Sequence, residues 1–510
     1  MSASIRATFR NPRTNEYAAP GGPWYGADLP SLLLALPSLT TLVCAPDGRL
    51  GTDDLLDAVR HTAGWLRARG VERRDAVAWQ LPNGADVVVL YLATWWLGAV
   101  AVPFHEGVTA HEAGAVLEEI GGARVLLAAP DVPVAALEGA VVVDDGTLRA
   151  TARDAPVDSP TSRPEDPAVL LTTSGSSGTP KTVVHSQRSL AHKARQMTVL
   201  HGTTSDDAVL VPAPLSHMAG VLHAVMHPIG TGVKAVLMAK WDAEEALELV
   251  RRERVTMLFG PPIFALGIAS AAGFSPDAVR SVRLVSSGAT AISEAYVHQV
   301  EELYGATVKR TYGSTEAPIA CTTLPGDDPS RGWTTDGRPV PGVELELRDP
   351  DDGTVLIDGG PGEIWLRGPE LCDGYLDAAQ TAATFVDGWM RTRDLGRFDD
   401  EGFLTVVGRI SDFIIRGGMN ISAREVDEAL EQHPAVAQAV VLGYPDDVYG
   451  ERVAAFVVST TPLERDDCVR WFAEVGVAKY KVPDRVVRLD EMPVLSTYQK
   501  PDVGALRDLL

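Results

Sequence analysis

The chain has 510 residues, more than one compact core accommodates, so two or more domains are expected. Its 45% hydrophobic and 22% charged residues describe an ordinary soluble globular protein. A formal net charge of −23 disfavours nucleic acid or an anionic membrane as partner, and means that any anionic ligand must be held by local positive groups.

Residues 1–17 carry no apolar signal core. Cys44, Cys321, Cys372 and Cys468 are scattered without CxxC spacing, so no disulfide framework or zinc site is expected and a reducing cytoplasm fits. Scarce lysine and abundant arginine, alanine and glycine point to a GC-rich bacterial genome. Residues 52–68 have helical periodicity and residues 76–80 read as a strand. Residues 87–104, VVVLYLATWWLGAVAVPF, are long enough in letters to span a membrane. Gly98 and Pro103 instead divide them into a buried helix, about 87–97, and a short strand, 99–102, so no membrane span is expected. Further strands are predicted at 124–127, 168–171, 209–211, 235–238, 257–259 and 284–286, with helical stretches at 189–200 and 243–252. Residues 145–167, rich in Pro and Asp, read as a surface connection.

Strand–helix alternation implies parallel sheets covered by helices, and ligands of such sheets collect beyond the carboxyl ends of the strands. The loops 172–181, 212–220, 260–262 and 287–290 all follow predicted strands. From residue 337 the pattern turns to short strands with Gly, Pro and Asp turns, read as a β-barrel-like part at about 337–408. A smaller α+β unit follows residue 409. No internal repeat or low-complexity tract is evident.

Chemistry concentrates first in residues 170–186, LLTTSGSSGTPKTVVHS. Glycines let backbone N–H groups approach a ligand closely, and the hydroxyls of Thr173, Ser174, Ser176 and Ser177 add donors. Lys181 adds positive charge. Gly175, Gly178 and Lys181 do not have the spacing of the common P-loop. The arrangement still suits phosphate.

This loop resembles the phosphate-binding motif of the adenylate-forming superfamily, which includes acyl-CoA synthetases, peptide-synthetase adenylation domains and luciferases. Residues 310–316, RTYGSTE, resemble its YGxTE motif, and residues 362–389, GEIWLRGPELCDGYLDAAQTAATFVDGW, its GExxxRGPxxxxGY stretch. Residues 392–395 and 408–421, GRISDFIIRGGMNI, continue in the family's order. The resemblance covers about residues 50–510, and it points to the acid:CoA ligase branch.

The implied fold is α/β. A large N-terminal domain of parallel-rich sheets plus the β-barrel-like part (1–410) is followed by a small mobile α+β C-terminal domain (411–510), hinged at Ser411. The implied reaction has a carboxylate attack the α-phosphate of MgATP, giving acyl-adenylate and pyrophosphate. The acyl group then passes to coenzyme A. A carboxylate needs no activating base, so catalysis rests on positioning and electrostatic stabilisation.

By resemblance, Lys500 is the catalytic cation between carboxylate and α-phosphate, Thr315 meets the α-phosphate, and Glu316 helps hold Mg²⁺. Lys500 departs from the family pattern: Gln499 replaces a glycine, and the run from Pro493 is one residue longer. ATP and AMP contacts fall on Thr173, Ser174, Gly175, Ser176, Ser177, Gly178, Lys181, Gly288, Ala289, Tyr312, Gly313, Ser314, Asp394 and Arg409. Tyr312 is expected to stack on adenine, and Asp394 and Arg409 to meet the ribose. Arg393 stands where the family has glycine.

The acid pocket begins at PLSHMAG, residues 214–220, with His217 as a ring wall. Met218, Gly220, Gly260, Ser287, Gly288 and Gly313 are its other expected lining residues. No Asp lies between residues 212 and 221 to pair with an α-ammonium, which implies an acid without an α-amino group. Gly417 and Gly418 resemble the pantetheine-facing glycines of CoA ligases.

The expected partners are a small carboxylic acid, ATP and CoA, with a carrier protein as a further acceptor and a monomer or homodimer as assembly. Two alternatives stand beside the ligase. One is an adenylating enzyme that loads a carrier protein or stops at the adenylate. The other is a non-catalytic nucleotide-binding homologue.

Overall fold

The computed structural model of the chain describes every residue except 1–8, 10, 27, 40, 145–147, 152–153, 174–180, 291, 411–412, 417–418, 447–448 and 496–499. The side chains of residues 151, 413, 415, 420, 495 and 500 also lie outside the described part. The chain divides into two units, residues 1–345 with 366–391, and residues 346–365 with 392–510.

The longest apolar run of the sequence shapes the first unit. Every residue of helix Ala85–Trp96 is buried, which is why the helix is apolar all round instead of on one stripe. Three of its side chains bond backbone carbonyls of distant segments. Trp95 Nε1 donates to Ala168 O at 2.8 Å, Trp96 Nε1 to Val157 O at 2.9 Å, and Tyr91 OH to Leu215 O at 2.6 Å. At its start the Asp47 carboxylate accepts from Ala85 N and Asp86 N, at 2.8 and 3.2 Å, supplying an N-cap from a distant segment. Gly98, at φ 66°, ends the helix in the left-handed region that glycine tolerates. The chain then enters strand Val100–Pro103, much as expected. Among the described residues no helix is long and apolar enough to cross a membrane.

Strand Val100–Pro103 belongs to a six-stranded sheet. Its spatial order is Ala140–Val142, Val125–Ala128, Ala76–Gln80, Val100–Pro103, Pro167–Thr173, Lys181–Ser186. Neighbours are parallel except the last two, which form an antiparallel pair with Thr173 opposite Lys181. A nine-stranded sheet runs Arg338–Pro339, Cys321–Thr322, Thr307–Tyr312, Leu284–Gly288, Met257–Gly260, Ala208–Val211, Lys234–Leu237, Val43–Ala45, Gly48–Leu50. From Thr307–Tyr312 to Val43–Ala45 all pairs are parallel. Leu210, Val236, Leu258, Val285 and Val308 turn one face of this sheet toward Leu247, Val250, Val297 and Val300 of helices Ala243–Glu253 and Glu294–Tyr304. Each such buried aliphatic side chain contributes about 1.5–3 kcal/mol.

Two features depart from the sequence reading. The hairpin Val43–Ala45 with Gly48–Leu50 extends the nine-stranded sheet where no strand was expected. The stretch 145–167, expected as a surface connection, contains helix Leu148–Thr151 and fully buried Asp166. Asp166 accepts from Arg73 Nε at 2.6 Å and Arg74 Nε at 3.1 Å.

The second unit is an α+β assembly. Its strands run Met419–Ser422, Phe413–Arg416, Gly450–Ser459, Val436–Asp446, with Arg485–Leu489 added parallel to Gly450–Ser459. Helices Ala423–Glu431 and Arg465–Glu474 pack Val426, Leu430, Cys468 and Phe472 into its core. Strand Leu404–Arg409 pairs with the latter half of Trp389–Phe398 and sets Arg409 opposite Asp394. The stretch 337–408, expected as β-barrel-like, thus supplies short strands to both units.

Because Trp95 is fully buried and its indole N–H bonds a strand carbonyl, Trp95→Ala is expected to cost about 3–5 kcal/mol in chemical denaturation.

Candidate active site

The motif segments of the first unit meet at the carboxyl ends of its parallel strands. Tyr375 is the hinge of the arrangement. The Lys181 ammonium lies 5.1 Å from the Tyr375 ring centroid, a cation–π contact. On the other side the Tyr375 hydroxyl donates to Glu316 Oε1 at 2.7 Å. Burial, reinforced by the Glu316 charge, raises the Tyr375 pKa, so the phenol stays a donor. Tyr375 is itself held by a bridge to Val183, and Leu376 N donates to Thr182 O at 3.0 Å. A single side chain therefore fixes the distance between the loop lysine and the motif glutamate.

The backbone of 312–320 is clamped as well. Cys372 N donates to Glu316 O at 2.9 Å. His185 Nε2 donates to Thr315 O at 2.6 Å. Burial lowers the His185 pKa to about 4, so the ring is neutral at physiological pH and keeps this N–H. Ser314 N donates to Ala317 O and Ala320 N to Tyr312 O, at 3.1 and 2.8 Å. Fully buried Lys193 donates to Ile319 O at 3.0 Å. Ile319 holds φ 50°, unusual for a β-branched residue, and its N would be 2.6 Å from a Cβ at Gly313. Only glycine fits at residue 313.

Small residues are required at the other expected lining positions too. A Cβ at Gly288 would be 2.5 Å from Thr311 O. Ala289, next to it, is exposed and sits at φ 67°. Gly260 has φ 135°, and a Cβ there would meet the Phe264 ring at 2.6 Å. Ser287 is buried and its hydroxyl shares a 2.6 Å hydrogen bond with Tyr296 OH, so this side chain is engaged inside the fold.

His217 comes from the nine-stranded-sheet side and stacks on His105, which follows a strand of the six-stranded sheet. Their centroids are 5.1 Å apart and their planes nearly parallel, at 12°. Asn83 fixes the loop before His217: its Nδ2 donates to Ala213 O at 3.0 Å, and its Oδ1 accepts from Leu215 N at 2.8 Å. Met218 and Gly220 open the helix that follows.

In the second unit, Arg409 Nε donates to Asp394 Oδ1 at 2.8 Å across the antiparallel pair. Arg393 is exposed at φ 64°, a conformation that favours glycine. Ser174, Gly175, Ser176, Ser177, Gly178, Ser411, Gly417 and Gly418 lie outside the described residues, as does the Lys500 side chain. The Lys500 main chain pairs with Leu495 in a two-stranded ribbon.

Sequence reasoning missed His185, Lys193, Asn83 and His105. Tyr375 stood in a quoted motif without an assigned role. Glu316 Oε2 has no hydrogen-bond partner among the described residues, so one carboxylate oxygen remains for a cation. No group of three or more His, Cys, Asp or Glu among the described residues would hold a metal on its own. That fits Mg²⁺, which prefers phosphate oxygens and water with one or two carboxylates.

The AMP-binding enzyme family model matches residues 36–376, and that of the AMP-binding enzyme C-terminal domain matches residues 425–497. The chain is 31% identical over 471 residues to a medium-chain fatty-acid–CoA ligase of Escherichia coli, covering 84% of this chain and 81% of that one. It is 34% identical over 500 residues to a 3-(7a-methyl-1,5-dioxo-octahydro-1H-inden-4-yl)propanoyl:CoA ligase of Mycobacterium tuberculosis, covering 92% and 95%. The crystal structure of ATP-bound MatB from Rhodopseudomonas palustris superposes with a TM-score of 0.87 at 26% identity, covering 94% and 98%.

A Cβ at Gly220 would lie 2.0 Å from Pro214 O, a backbone atom that cannot swing aside. Gly220→Ala is expected to lower Tm by a few degrees, corresponding to about 1–3 kcal/mol of overpacking, in differential scanning calorimetry.

Proposed function

The chain belongs to the AMP-binding enzyme family, and from that premise we propose that it joins a carboxylic acid lacking an α-amino group to CoA through an acyl-adenylate. At the coarser level it is an ATP-dependent, AMP-forming acid–thiol ligase that uses ATP and CoA. The observation that carries the finer reading is the Lys181–Tyr375–Glu316 arrangement. It presents a cation and a cation-binding carboxylate at a fixed separation, as a polyphosphate with its Mg²⁺ requires.

In this reading Lys181 neutralises phosphate charge, and Thr315 lies beside the α-phosphate on a loop that His185 holds through the Thr315 carbonyl. Glu316 would hold Mg²⁺, which supplies charge neutralisation on the phosphates when bound. Asp394, supported by Arg409, accepts from the ribose hydroxyls. Lys500 is the cation between the acid carboxylate and the α-phosphate. It is the sole lysine after Lys481, and a strand pairing fixes its backbone. The acid carboxylate attacks phosphorus, the P–O bond to pyrophosphate breaks, and the adenylate forms. The CoA thiolate then attacks the acyl carbon and AMP leaves. Gly417 and Gly418 are the proposed neighbours of the pantetheine arm.

The acid pocket reading rests on His217, Met218, Gly220, Gly260, Gly288 and Gly313. His217 and His105 form a stacked aromatic pair, and at each of these glycines the backbone packs so closely on neighbouring protein atoms that no side chain could stand there. No carboxylate occurs from residue 212 to 221, so an α-ammonium finds no partner there. The Gln499 substitution and the longer run from Pro493 favour a second reading, in which the acyl group goes to a carrier protein or remains as the adenylate.

The test is pyrophosphate release from MgATP over a panel of carboxylic acids, with and without CoA, with products read by mass spectrometry. Acid-dependent release with an acyl-CoA product is expected. Acyl-AMP without thioester would overturn CoA as acceptor, and nucleotide binding without release for any acid would overturn the catalytic assignment.

Two variants separate the roles. Lys500→Ala is expected to lower the rate of acid-dependent pyrophosphate release by at least about 100-fold, the scale of one lost electrostatic contact to a transition state. Tyr375→Phe, which frees Glu316 but keeps the ring under Lys181, is expected to lower it about tenfold, as one hydrogen bond of about 1.4 kcal/mol implies.

A further inference from the structure

Three buried histidines surround Phe259 in the first unit, and the adenylation chemistry uses none of them. The His223 ring stacks on Phe259 at 4.0 Å and 13°. His201 and His227 lie edge-on to the same ring at 4.9 and 5.9 Å. His223 and His227 are 5.7 Å apart, and His201 and His227 6.4 Å. All three are more than nine-tenths buried, with exposures of 6% for His223, 3% for His201 and 0% for His227.

Their polar atoms are poorly satisfied. Of their ring nitrogens only His227 Nε2 has a hydrogen-bond partner among the described residues, sharing a 3.0 Å hydrogen bond with Thr203 Oγ1. Among the described residues both ring nitrogens of His201 and the Nδ1 atoms of His223 and His227 have no hydrogen-bond partner. A buried polar group without a partner costs free energy, and an apolar side chain of like shape would avoid that cost. Three such residues around one phenyl ring violate the packing rule where functional groups most often do.

The cluster adjoins residues assigned to the acid pocket. The helical run starting at Met218 carries Gly220, His223 three residues on and His227 four further, and the His223 and His227 ring centroids lie 5.7 Å apart. Residues Leu222–Met226 form a π-type turn, a rare form frequent at functional sites. Phe259 directly precedes Gly260, another pocket position, at the end of strand Met257–Gly260. Accessibility falls from His223 through His201 to His227, so His223 is the ring of the three most open to a ligand. Burial lowers the pKa of all three rings, that of His227 to about 3, so each is neutral near pH 7. Neutral imidazoles suit an uncharged oxygen better than a second carboxylate.

We propose that His223, backed by His201 and His227, forms a polar end-wall of the acid pocket, so that the preferred acid carries a ketone or hydroxyl oxygen several carbons from its carboxylate. This inference rests on the acid-pocket reading given above. It makes His223 a specificity-determining residue: its ring nitrogen pairs with the substrate oxygen, and an acid with a methylene there leaves the nitrogen unpaired.

The experiment uses matched acids of equal chain length, oxo against methylene, with the oxo group at graded distances from the carboxylate. It measures kcat/KM for pyrophosphate release in the full-length wild type, H223L, H223F and H223Q. The best oxo acid is expected to exceed its methylene partner at least about tenfold in the wild type. That ratio is expected to fall to about one in H223L and H223F and to survive in part in H223Q, with Tm of H223L no lower than wild type. No oxo preference in the wild type, or an unchanged ratio in H223L and H223F, would overturn the proposal. Lower Tm with equal losses on both acids would assign His223 a packing role and overturn it too. Absence of release from every acid would overturn the acid-pocket reading itself, and the inference with it.

Discussion

A strongly acidic chain that must hold an acidic nucleotide has few cations to spend, and the first unit shows where they go. Lys193 and Lys309 are buried on backbone carbonyls, Lys193 on Ile319 O and Lys309 on Leu200 O and Thr323 O. Lys234 pairs with Glu253 at 3.2 Å, and Lys240 stands 3.8 Å from Glu106. Lys181 alone among the described lysines of this unit is set over an aromatic ring. An aromatic face attracts the ammonium without cancelling its charge as a carboxylate would. The Glu316 carboxylate is kept at the far side of the same tyrosine, where the phenolic hydroxyl and not the lysine answers it. Tyr375 separates the opposite charges, so that neither neutralises the other.

Much of this was legible in sequence because it is local. Strand-to-loop transitions, the glycine at 313 and the ordered motifs all lie within short windows. The parallel sheets followed from strand–helix alternation, and the division of 87–104 followed from Gly98 and Pro103. The remainder was not legible because its partners are far apart in the chain. His185 reaches Thr315 across 130 residues and Tyr375 reaches Glu316 across 59. Asn83 fixes the loop before His217 across more than a hundred residues, at Ala213 and Leu215. No periodicity announces such pairs. The helix Ala85–Trp96 shows the same limit in another form: its letters suit lipid, and only its indole and phenol hydrogen bonds to Ala168, Val157 and Leu215 reveal a protein environment.

Backbone strain occurs in the same motif segments, as it does at Arg74 and Arg254 outside them. Ala289, Ile319 and Arg393 hold positive φ, each next to or within a segment expected to meet nucleotide. Such conformations cost of order 1–3 kcal/mol each and persist where the surroundings over-determine them. At Ile319 those surroundings are visible, namely the Lys193 ammonium on its carbonyl and Gly313 against its N. At Arg393 the left-handed backbone is kept although the side chain there is not glycine, so the shape of the turn beside Asp394 outranks local preference.

The π-type turn at Leu222–Met226 has an evolutionary consequence. Such a turn carries one residue more than an α-helical turn, and each α-helical residue rotates the chain by about 100°. A single-codon deletion within it would return the turn to α-helical geometry and re-aim the side chains of the turn itself, His223 included, while leaving Gly220 at the helix start and the segment from His227 in place. The lining of this region is thus divided into a part anchored at the helix start and a part that one indel can re-index. Descendants could therefore diverge in what they accept by a change of length, with no alteration to the segments that handle the nucleotide.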